Sequence, residues 1–353
     1  MKKQSFIAIA TFVFFSWLVI ACGKQKNGKI DRYALVERNN PKITEFEELS
    51  SLSVGNGNFA CTVDATGLQT FPELYSAGVP LGTQSQWGWH SFPNGQNFKP
   101  EETLKNYDFR GWDEPYAVQF NEPGRQQDAA NYFRVNPHRL HLGYVGLELT
   151  NGNGEKIKAG DIRNINQTLD LWNGAVVSKY DVENDSVLVK TAVHPNHDQL
   201  AVTLGSALIG KKQMGINFRF PYPTGNHVDD ATDWTAPQKH KTEIVSQNDS
   251  SFVLKRTLDS TVYYVSVKYQ GKAVLSEKEA HYFILRPVGD TFSLICEFTD
   301  KAPAGLNNAP QEAFGASSRY WTAFWEKGGA VDFPTAPMKG LESWNAGLSC
   351  PNT

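Results

Sequence analysis

The stretch AVVSKYDVENDSVLVKTAV, residues 175–193, contains two runs that are typical of β-strands. In residues 175–182 and 186–193 apolar side chains alternate with polar ones or follow one another in short runs, and a polar segment separates the two. Alternation indicates a strand with one buried face, and a short apolar run indicates a strand buried on both faces. We therefore predict two strands here, and the same pattern decides the fold of the surrounding chain.

Eight further runs of this kind lie before and after this stretch, separated by clusters of Gly, Asn, Asp and Pro. They are residues 59–63, 139–149, 200–209, 214–220, 251–256, 261–269, 281–286 and 291–298. Such a series without interleaved helical periodicity predicts an all-β fold, a large antiparallel super-sandwich, over residues 41–303. A helical pattern with five aromatic residues, Phe314, Tyr320, Trp321, Phe324 and Trp325, follows in residues 310–325. We assign residues 304–333 to a short C-terminal helical linker.

The start of the chain has the pattern of an export signal. Lys2 and Lys3 precede an apolar run, residues 6–21, which is shorter than the roughly 20 residues of a membrane-spanning helix. The run ends in VIACG, residues 19–23, which resembles the lipobox cut by lipoprotein signal peptidase. We predict a lipoprotein signal peptide in residues 1–21, with an ordinary membrane anchor as the alternative.

Acyl chains on Cys22 would hold the protein on a bacterial membrane, and residues 22–40, which are polar, would form a tether. The pattern predicts an exported, lipid-anchored protein. It leaves open which membrane carries the anchor.

Composition narrows the class of partner. The net charge is −3, so we predict no binding to nucleic acid. Three cysteines remain after Cys22, and none belongs to a CxxC pair, so a zinc ribbon or a redox motif is not expected. Cys61 and Cys296 lie in strand-like runs and are either buried free thiols or a disulfide. No cofactor is predicted.

Three sequence segments resemble a known enzyme group. Residues 49–59, LSSLSVGNGNF, resemble the entry motif of glycoside hydrolase family 65, in which a Ser-Leu stretch leads into Gly-Asn-Gly. Residues 167–174, QTLDLWNG, are similar to the family's Leu-Asp-x-x-x-Gly before a strand pair. Residues 320–333, YWTAFWEKGGAVDF, resemble the linker that leads into the catalytic barrel of six-hairpin glycosidases. Two shorter stretches, residues 71–73 and 88–93, are similar to exported Bacteroidetes-type members of the group.

The resemblance implies a function as well as a fold. In the family a sandwich precedes a barrel of paired helices that carries the catalytic groups, and the parent reaction is hydrolysis or phosphorolysis of a glycosidic bond. This chain ends about 20 residues after the linker, which predicts a truncated and inactive fragment. The sugar, the linkage and the choice between hydrolysis and phosphorolysis stay open.

Residues 334–353 show no pattern of their own. Residues 335–352 can be back-translated into DNA with permitted codons. Translation of that DNA in the frame that starts at the third base of each codon can yield a sequence that resembles the first barrel helix of the family. We therefore predict a frameshift near Phe333, an out-of-frame tail over residues 334–353, and no structural role for Cys350. Sequencing the downstream gene tests this prediction.

The predicted substrate contacts lie in a long segment, residues 71–134, which is rich in aromatic residues, Gly and Asn. Long ordered loops on a β scaffold are usually functional. Trp87, Trp89 and His90 are our candidate substrate-binding residues, because exposed indoles form platforms for sugar rings. The alternative is that the two indoles pack against the protein. Further candidates, for which structural hydrogen bonding is the alternative, are Tyr116, Arg125, Arg134, His138 and Arg139.

Other polar groups give weaker indications. His138 and His141 are three residues apart on a predicted strand and would face opposite sides, which makes a poor metal pair. His194 and His197 flank a turn. The acidic loop with Asp229, Asp230 and Asp233 could bind calcium, and a solvated loop is the alternative. Glu73 and Glu122 lack the context of an acid–base pair, which glycoside hydrolysis requires.

Three functional hypotheses follow. The chain is an inactive sandwich portion of a lipid-anchored carbohydrate-active enzyme, or a stand-alone carbohydrate-binding lipoprotein, or an aldose epimerase, since galactose mutarotase-like proteins share such a sandwich. If the barrel is missing, the aromatic side of the linker, Tyr320, Trp321, Phe324 and Trp325, loses its partner, and we predict self-association through it.

Overall fold

A computed structural model describes residues 30–226, 228–306 and 308–332 of the chain. The predicted signal peptide, Cys22, Cys350 and the out-of-frame tail lie outside the described residues. The described residues form a large unit, Val36–Gly328, while residues 30–35 and 329–332 are assigned to a second unit. Among the helices of this described part, none is long and apolar enough to cross a membrane.

Antiparallel strands are the main regular secondary structure of the large unit. In chain order the strands are β1 (Lys42–Ile43), β2 (Leu52–Gly55), β3 (Phe59–Val63), β4 (Thr83–Ser85), β5 (Trp89–His90), β6 (Leu104–Asp108), β7 (Asp113–Ala117), β8 (His138–Arg139), β9 (Tyr144–Leu149), β10 (Ile162–Asp170), β11 (Ala175–Val182), β12 (Asp185–Val193), β13 (Gln199–Gly205), β14 (Met214–Arg219), β15 (His240–Asn248), β16 (Ser251–Leu258), β17 (Thr261–Gln270), β18 (Ala273–Glu279), β19 (Tyr282–Pro287) and β20 (Thr291–Thr299).

In the described part of the chain, four α-helices accompany the strands, namely α1 (Arg32–Glu37), α2 (Arg125–Val135), α3 (Ala207–Gly210) and α4 (Pro310–Lys327). α1 lies in the segment predicted as a tether. Short 3₁₀ turns occur at Pro72–Leu74, Pro100–Thr103, Ala159–Asp161 and Pro237–Lys239.

Two main sheets form the sandwich. The larger sheet has nine strands in the order β1-β10-β11-β12-β13-β20-β17-β16-β15, and the smaller has four in the order β18-β19-β14-β9. A three-stranded sheet, β2-β3-β4, and two strand pairs, β5-β8 and β6-β7, complete the topology. The pairings within the nine-stranded sheet are antiparallel throughout. The predicted all-β antiparallel super-sandwich is confirmed.

One apolar core holds the sheets together. Alternate side chains of the nine-stranded sheet, such as Val202, Leu254 and Val265, lie in this core, and we call the face that they share the inner face. They pack with Ile216 and Leu285 of the smaller sheet. Because a fully buried side chain of this size stabilises the fold by about 1.5–3 kcal/mol, the alternating pattern in the sequence specifies which face is buried.

Helix α4 covers part of the opposite, outer face of the nine-stranded sheet. Ala313 of the helix packs against Ala201 of β13 and Ile295 of β20, which alternate with core residues along their strands. The predicted C-terminal helix is thus confirmed, and it belongs to the same compact unit as the sandwich.

Two of the predicted runs are divided in the structure. Residues 139–149 comprise the end of β8, a connection and β9, and residues 200–209 comprise β13 followed by α3. The segment 71–134, predicted to be loop-like, also contains the hairpin β6–β7 and all but the last residue of helix α2. All the side chains of that hairpin are exposed, so no buried face marks its strands in the sequence.

Candidate functional site

The Gly-Asn-Gly turn after β2 joins two distant loops. The Asn56 side chain accepts hydrogen bonds from the backbone N–H groups of Asn58 and Phe59, at 2.9 and 2.8 Å. Its amide nitrogen donates to the carbonyl groups of His194 and His197, both at 3.0 Å. Gly57 has φ +91°, which favours glycine. The motif therefore fixes the loop between β12 and β13 beside the β2–β3 turn.

That loop in turn positions the first candidate indole. Asp198 accepts hydrogen bonds from the hydroxyl of Ser85, at 2.5 Å, and from Nε1 of Trp87, at 2.8 Å. The Trp87 ring is half-buried and lies 6.1 Å from the Tyr263 ring. Trp87 is thus packed against the core, and its polar atom is already bonded within the protein.

Trp89 occupies a different environment. Its side chain is 46% exposed, and Nε1 donates to the Gln86 carbonyl at 3.0 Å. β5 pairs with β8 so that Trp89 lies opposite Arg139, whose guanidinium carbon is 4.3 Å from the indole centroid. Arg139 also donates to the Ser85 carbonyl at 2.9 Å, which fixes the guanidinium against the ring. This cation–π pair forms an exposed, rigid aromatic surface.

A cavity of about 410 Å³ begins beside this pair. Its lining includes Arg139 and three amide side chains, those of Asn58, Gln84 and Gln86. The hydrogen bonds of the described chain occupy none of these three amides. They can therefore donate to and accept from a bound ligand. The described residues that line this cavity, which we call the Trp89 cleft, include no carboxylate.

His90 points the other way, because successive side chains on a strand face opposite sides. It is buried, with Nδ1 2.9 Å from the Thr261 hydroxyl and Nε2 3.3 Å from a carboxylate oxygen of Asp259. Burial lowers the pKa of His90, although the nearby Asp259 carboxylate opposes that shift. The substrate-binding role of Trp87, Trp89 and His90 stays a prediction, and Trp89 is the member of the three that stacks on a residue of the cleft lining, Arg139.

Of the other residues that the sequence suggests as substrate contacts, only Arg139 lines the cleft among the described residues. Tyr116 is exposed on the β6–β7 hairpin, and Arg125 forms an ion pair with Glu102. The Glu73 carboxylate oxygen Oε1 lies 3.5 Å from Nη1 of Arg219. Arg134 lies in helix α2, and Glu122 is exposed in the segment before it.

The predicted metal-binding candidates form local hydrogen bonds instead. Asp229, Asp230 and Asp233 accept hydrogen bonds from the backbone N–H two residues ahead, so each closes its own turn. The rings of His194 and His197 lie 4.6 Å apart. Within the described residues there is no group of three or more His, Cys, Asp and Glu side chains that could hold a metal ion.

Cys61 and Cys296 are free and fully buried, which selects the free-thiol alternative. Burial raises the pKa of the Cys61 thiol to about 12, so neither reactivity nor metal binding is favoured there.

A buried arginine with neutral partners lies inside the sandwich, away from this cleft. Arg256 donates to His240 Nδ1 at 2.7 Å and to the Pro221 carbonyl at 3.2 Å, and its guanidinium lies 5.0 Å from the Phe220 ring. Burial and the adjacent Arg256 charge lower the pKa of His240 to about 3. The sequence does not predict this polar cluster, because residues 240 and 256 meet only through the pairing of β15 with β16.

The three family-like segments meet at a second place, under helix α4. Trp321 and Trp325 line a small cavity of about 140 Å³ together with Gly55 of the first segment and Leu171 and Gly174 of the second. Trp325 Nε1 donates to the Leu171 carbonyl at 2.6 Å. Segments more than 100 residues apart thus form one packed contact, which we call the α4 junction.

Gly174 shows why the junction needs its motif. Its φ is +64°, and a Cβ there would lie 1.9 Å from Trp321 Cδ1. Asp170 closes the turn by accepting from Asn173, and the Ser317 hydroxyl of α4 donates to the carbonyl groups of Asn173 and Gly174, both at 3.1 Å. Only glycine satisfies both the backbone conformation and the close approach of the indole.

No protein-family model matches this chain, and no curated protein matches its sequence. Among solved structures, a protein provisionally named a kojibiose phosphorylase, from the human microbiome, is similar with a TM-score of 0.46 and 8% identity. The match covers 82% of this chain and 38% of that chain. A family GH92 α-mannosidase from Bacteroides thetaiotaomicron, in complex with mannoimidazole, matches with a TM-score of 0.23 and 9% identity over 53% of this chain and 28% of its own. This chain thus spans less than half the length of either structure.

Proposed function

We propose that this chain is the sandwich portion of an exported, lipid-anchored protein that acts in carbohydrate metabolism, and that it binds oligosaccharide at the Trp89 cleft. The observation that carries the proposal is that Arg139 and three unoccupied amide side chains line one cavity, while the exposed Trp89 indole stacks on the Arg139 guanidinium. An aromatic face packs against the C–H groups of a sugar ring, while amides exchange hydrogen bonds with its hydroxyl groups.

The α4 junction supports the carbohydrate-active parentage. The residues that make the three segments resemble the glycosidase group are the residues that pack together there, including Gly55, Gly174 and Trp321. A chance resemblance in three separate segments gives no reason for those residues to meet. In the proposed parent enzyme this helix would lead from the sandwich toward a catalytic barrel.

Binding without hydrolysis is the activity that the cleft favours. Glycosidases of the common kind place two carboxylates across the scissile bond. The described lining of the Trp89 cleft offers amides and a guanidinium instead. We expect purified protein to release no reducing ends from a panel of glycans and to show no mutarotation of glucose or galactose above the rate in buffer.

The binding proposal is tested by calorimetric titration of the soluble domain with neutral oligosaccharides of glucose and of mannose. Trp89→Ala should weaken binding by roughly two- to tenfold, since one aromatic contact contributes about 0.5–1.5 kcal/mol. Trp112→Ala is the matched control, because Trp112 is an indole that is 70% exposed in the β6–β7 hairpin, outside the cleft lining. Absence of heat with every oligosaccharide, or equal losses in both variants, contradicts the proposal.

The anchor is tested separately. Cells expressing the full chain with Cys22→Ser should yield protein that no longer incorporates labelled palmitate and no longer sediments with membranes. A substitution of the neighbouring Gly23 by Ser, which keeps the thiol, is the control. Membrane sedimentation that does not depend on Cys22 contradicts lipidation.

A further inference from the structure

A second cavity, of about 440 Å³, lies on the outer face of the nine-stranded sheet. Strands β15, β16 and β17 form its floor, and residues 302–306 form one wall. Leu306 also packs with the cluster of Ala201, Ile295 and Ala313, so the wall is fixed against the sheet and helix α4. We call this cavity the outer groove. Its volume is within the range of small-molecule sites.

A β-bulge directs polar side chains into the outer groove. The register of β15 against β16 shifts between Ile244 and Ser246, so that Ile244 pairs with the core residue Leu254 while Ser246 pairs with the outer residue Val253. Val245 is the extra residue of this bulge. Without it, Ser246 would point toward the inner face, as Thr242 and Ile244 do through their pairing with Arg256 and Leu254. Bulges commonly redirect a side chain in this way beside functional sites.

Ser266 shows that the groove offers more than an apolar surface. Its side chain is 2% exposed, and its hydroxyl has no hydrogen-bond partner in the described chain. A buried hydroxyl without a partner is costly, by roughly 1–3 kcal/mol. Ser246, Ser251 and Tyr264, which line the same groove, also have hydroxyl groups that bond to none of the described residues. One buried hydroxyl without a partner and three more accessible hydroxyl groups thus line one cavity.

Charge and shape restrict what can bind there. None of the described residues that line the groove is charged, and its apolar lining includes Val253, Pro303 and Leu306. An ionic ligand would lose its hydration without gaining a counter-charge. A ligand with several hydroxyl groups and an apolar ring face satisfies both the unpaired hydroxyls and the aliphatic walls.

We infer that the outer groove is a second binding site, separate from the Trp89 cleft, for one unit of a neutral sugar, with Ser266 and Tyr264 as its hydrogen-bonding residues. The ligand class rests on the proposed function, but the residues that support this site are different.

The test is saturation-transfer NMR and calorimetric titration of the purified full chain with methyl α-glucoside, methyl α-mannoside and sodium galacturonate. Tyr264→Phe removes one hydroxyl and keeps the ring, and Ser266→Ala removes the buried hydroxyl. Each should weaken binding of the neutral glycoside by about two- to tenfold, the effect of one hydrogen bond, and galacturonate should bind more weakly than the neutral glycosides. Ser293→Ala, a serine of β20 on the outer face but outside the groove lining, should leave binding unchanged.

The outcomes separate this inference from the proposed function. Binding that falls with Tyr264→Phe but not with Trp89→Ala supports the outer groove and leaves the Trp89 cleft to its own test. Binding that falls only with Trp89→Ala overturns the outer groove while supporting the cleft. If no methyl glycoside binds, or if galacturonate binds best, the outer groove is not a neutral-sugar site.

Discussion

At the residue scale, single glycines and asparagines decide which segments can meet. Gly174 allows the indole of Trp321 to approach the turn before β11, and Asn56 ties its own turn to the β12–β13 loop. Resemblance of the sequence to a family motif singles out both residues. The structure supplies the physical reason for them, which is close packing in one case and four hydrogen bonds in the other.

The α4 junction gives a residue-scale prediction. Gly174→Ala should lower the free energy of unfolding by more than about 2 kcal/mol, because the positive φ costs about 1–2 kcal/mol and the new Cβ also displaces the Trp321 ring. Gly154→Ala is the matched control, since Gly154 has φ +83° but a Cβ added there would have no neighbouring heavy atom within 4 Å. Urea unfolding measures both. Equal losses in the two variants would show that the indole contact has no energetic weight.

At the element scale, helix α4 presents two faces with different environments. Trp321 and Trp325 pack at the junction, whereas Tyr320 and Phe324 are 46% and 50% exposed. The sequence predicts that Tyr320, Trp321, Phe324 and Trp325 all lose a barrel partner. The structure divides them, because residues three or four apart share a helix face and adjacent ones do not.

Self-association, if it uses α4, should depend on the exposed pair alone. We expect the double substitution Tyr320→Ser and Phe324→Ser to shift the sedimentation profile of the soluble domain toward monomer at high concentration, since it removes the apolar patch without touching the junction. Val274→Ser, at a valine that is 66% exposed on β18, is the control. A wild-type domain that is monomeric at all concentrations contradicts the prediction.

The hairpin β6–β7 is an element that the fold does not need. Its strand residues are all exposed, and Arg110 and Gly111 at its tip both have positive φ, the geometry of a tight hairpin turn. Replacing residues 105–116 by Gly-Gly should therefore change the free energy of unfolding by less than about 1 kcal/mol.

The comparison for this deletion is Leu204→Ala, which truncates a core side chain and should cost about 2–5 kcal/mol. Thermal and urea unfolding report both changes. A large loss on removal of the hairpin would mean that it packs against the sandwich in solution.

At the scale of the whole molecule, buried histidines make stability depend on pH. Burial lowers the pKa of each of six histidines below its usual value of 6.5, namely His90, His138, His141, His194, His240 and His281. For His141 the pKa falls to about 4. The unfolded chain therefore binds protons near pH 6.5 that the folded protein does not accept until lower pH.

The folded state should accordingly lose stability as the pH falls from about 7 toward about 4.5. Asp64 acts in the opposite direction, since burial raises its pKa to about 6, but it is one group against the six histidines. Urea midpoints at about pH 7.5, 6 and 5 test the sign. His141→Gln should flatten the dependence, and a midpoint that rises on acidification would contradict it.

The sequence by itself determined the all-β class, most strands and the C-terminal helix, because alternation of apolar residues states which face of each strand is buried. It also singled out Gly55, Asp170 and Trp321 through their motifs. Only the tertiary structure decided that these segments pack together, that Trp89 is exposed while Trp87 and His90 turn inward, and that Ser246 faces the outer groove. These outcomes depend on strand register, a bulge and contacts between segments more than 100 residues apart, none of which leaves a periodic signal in the chain.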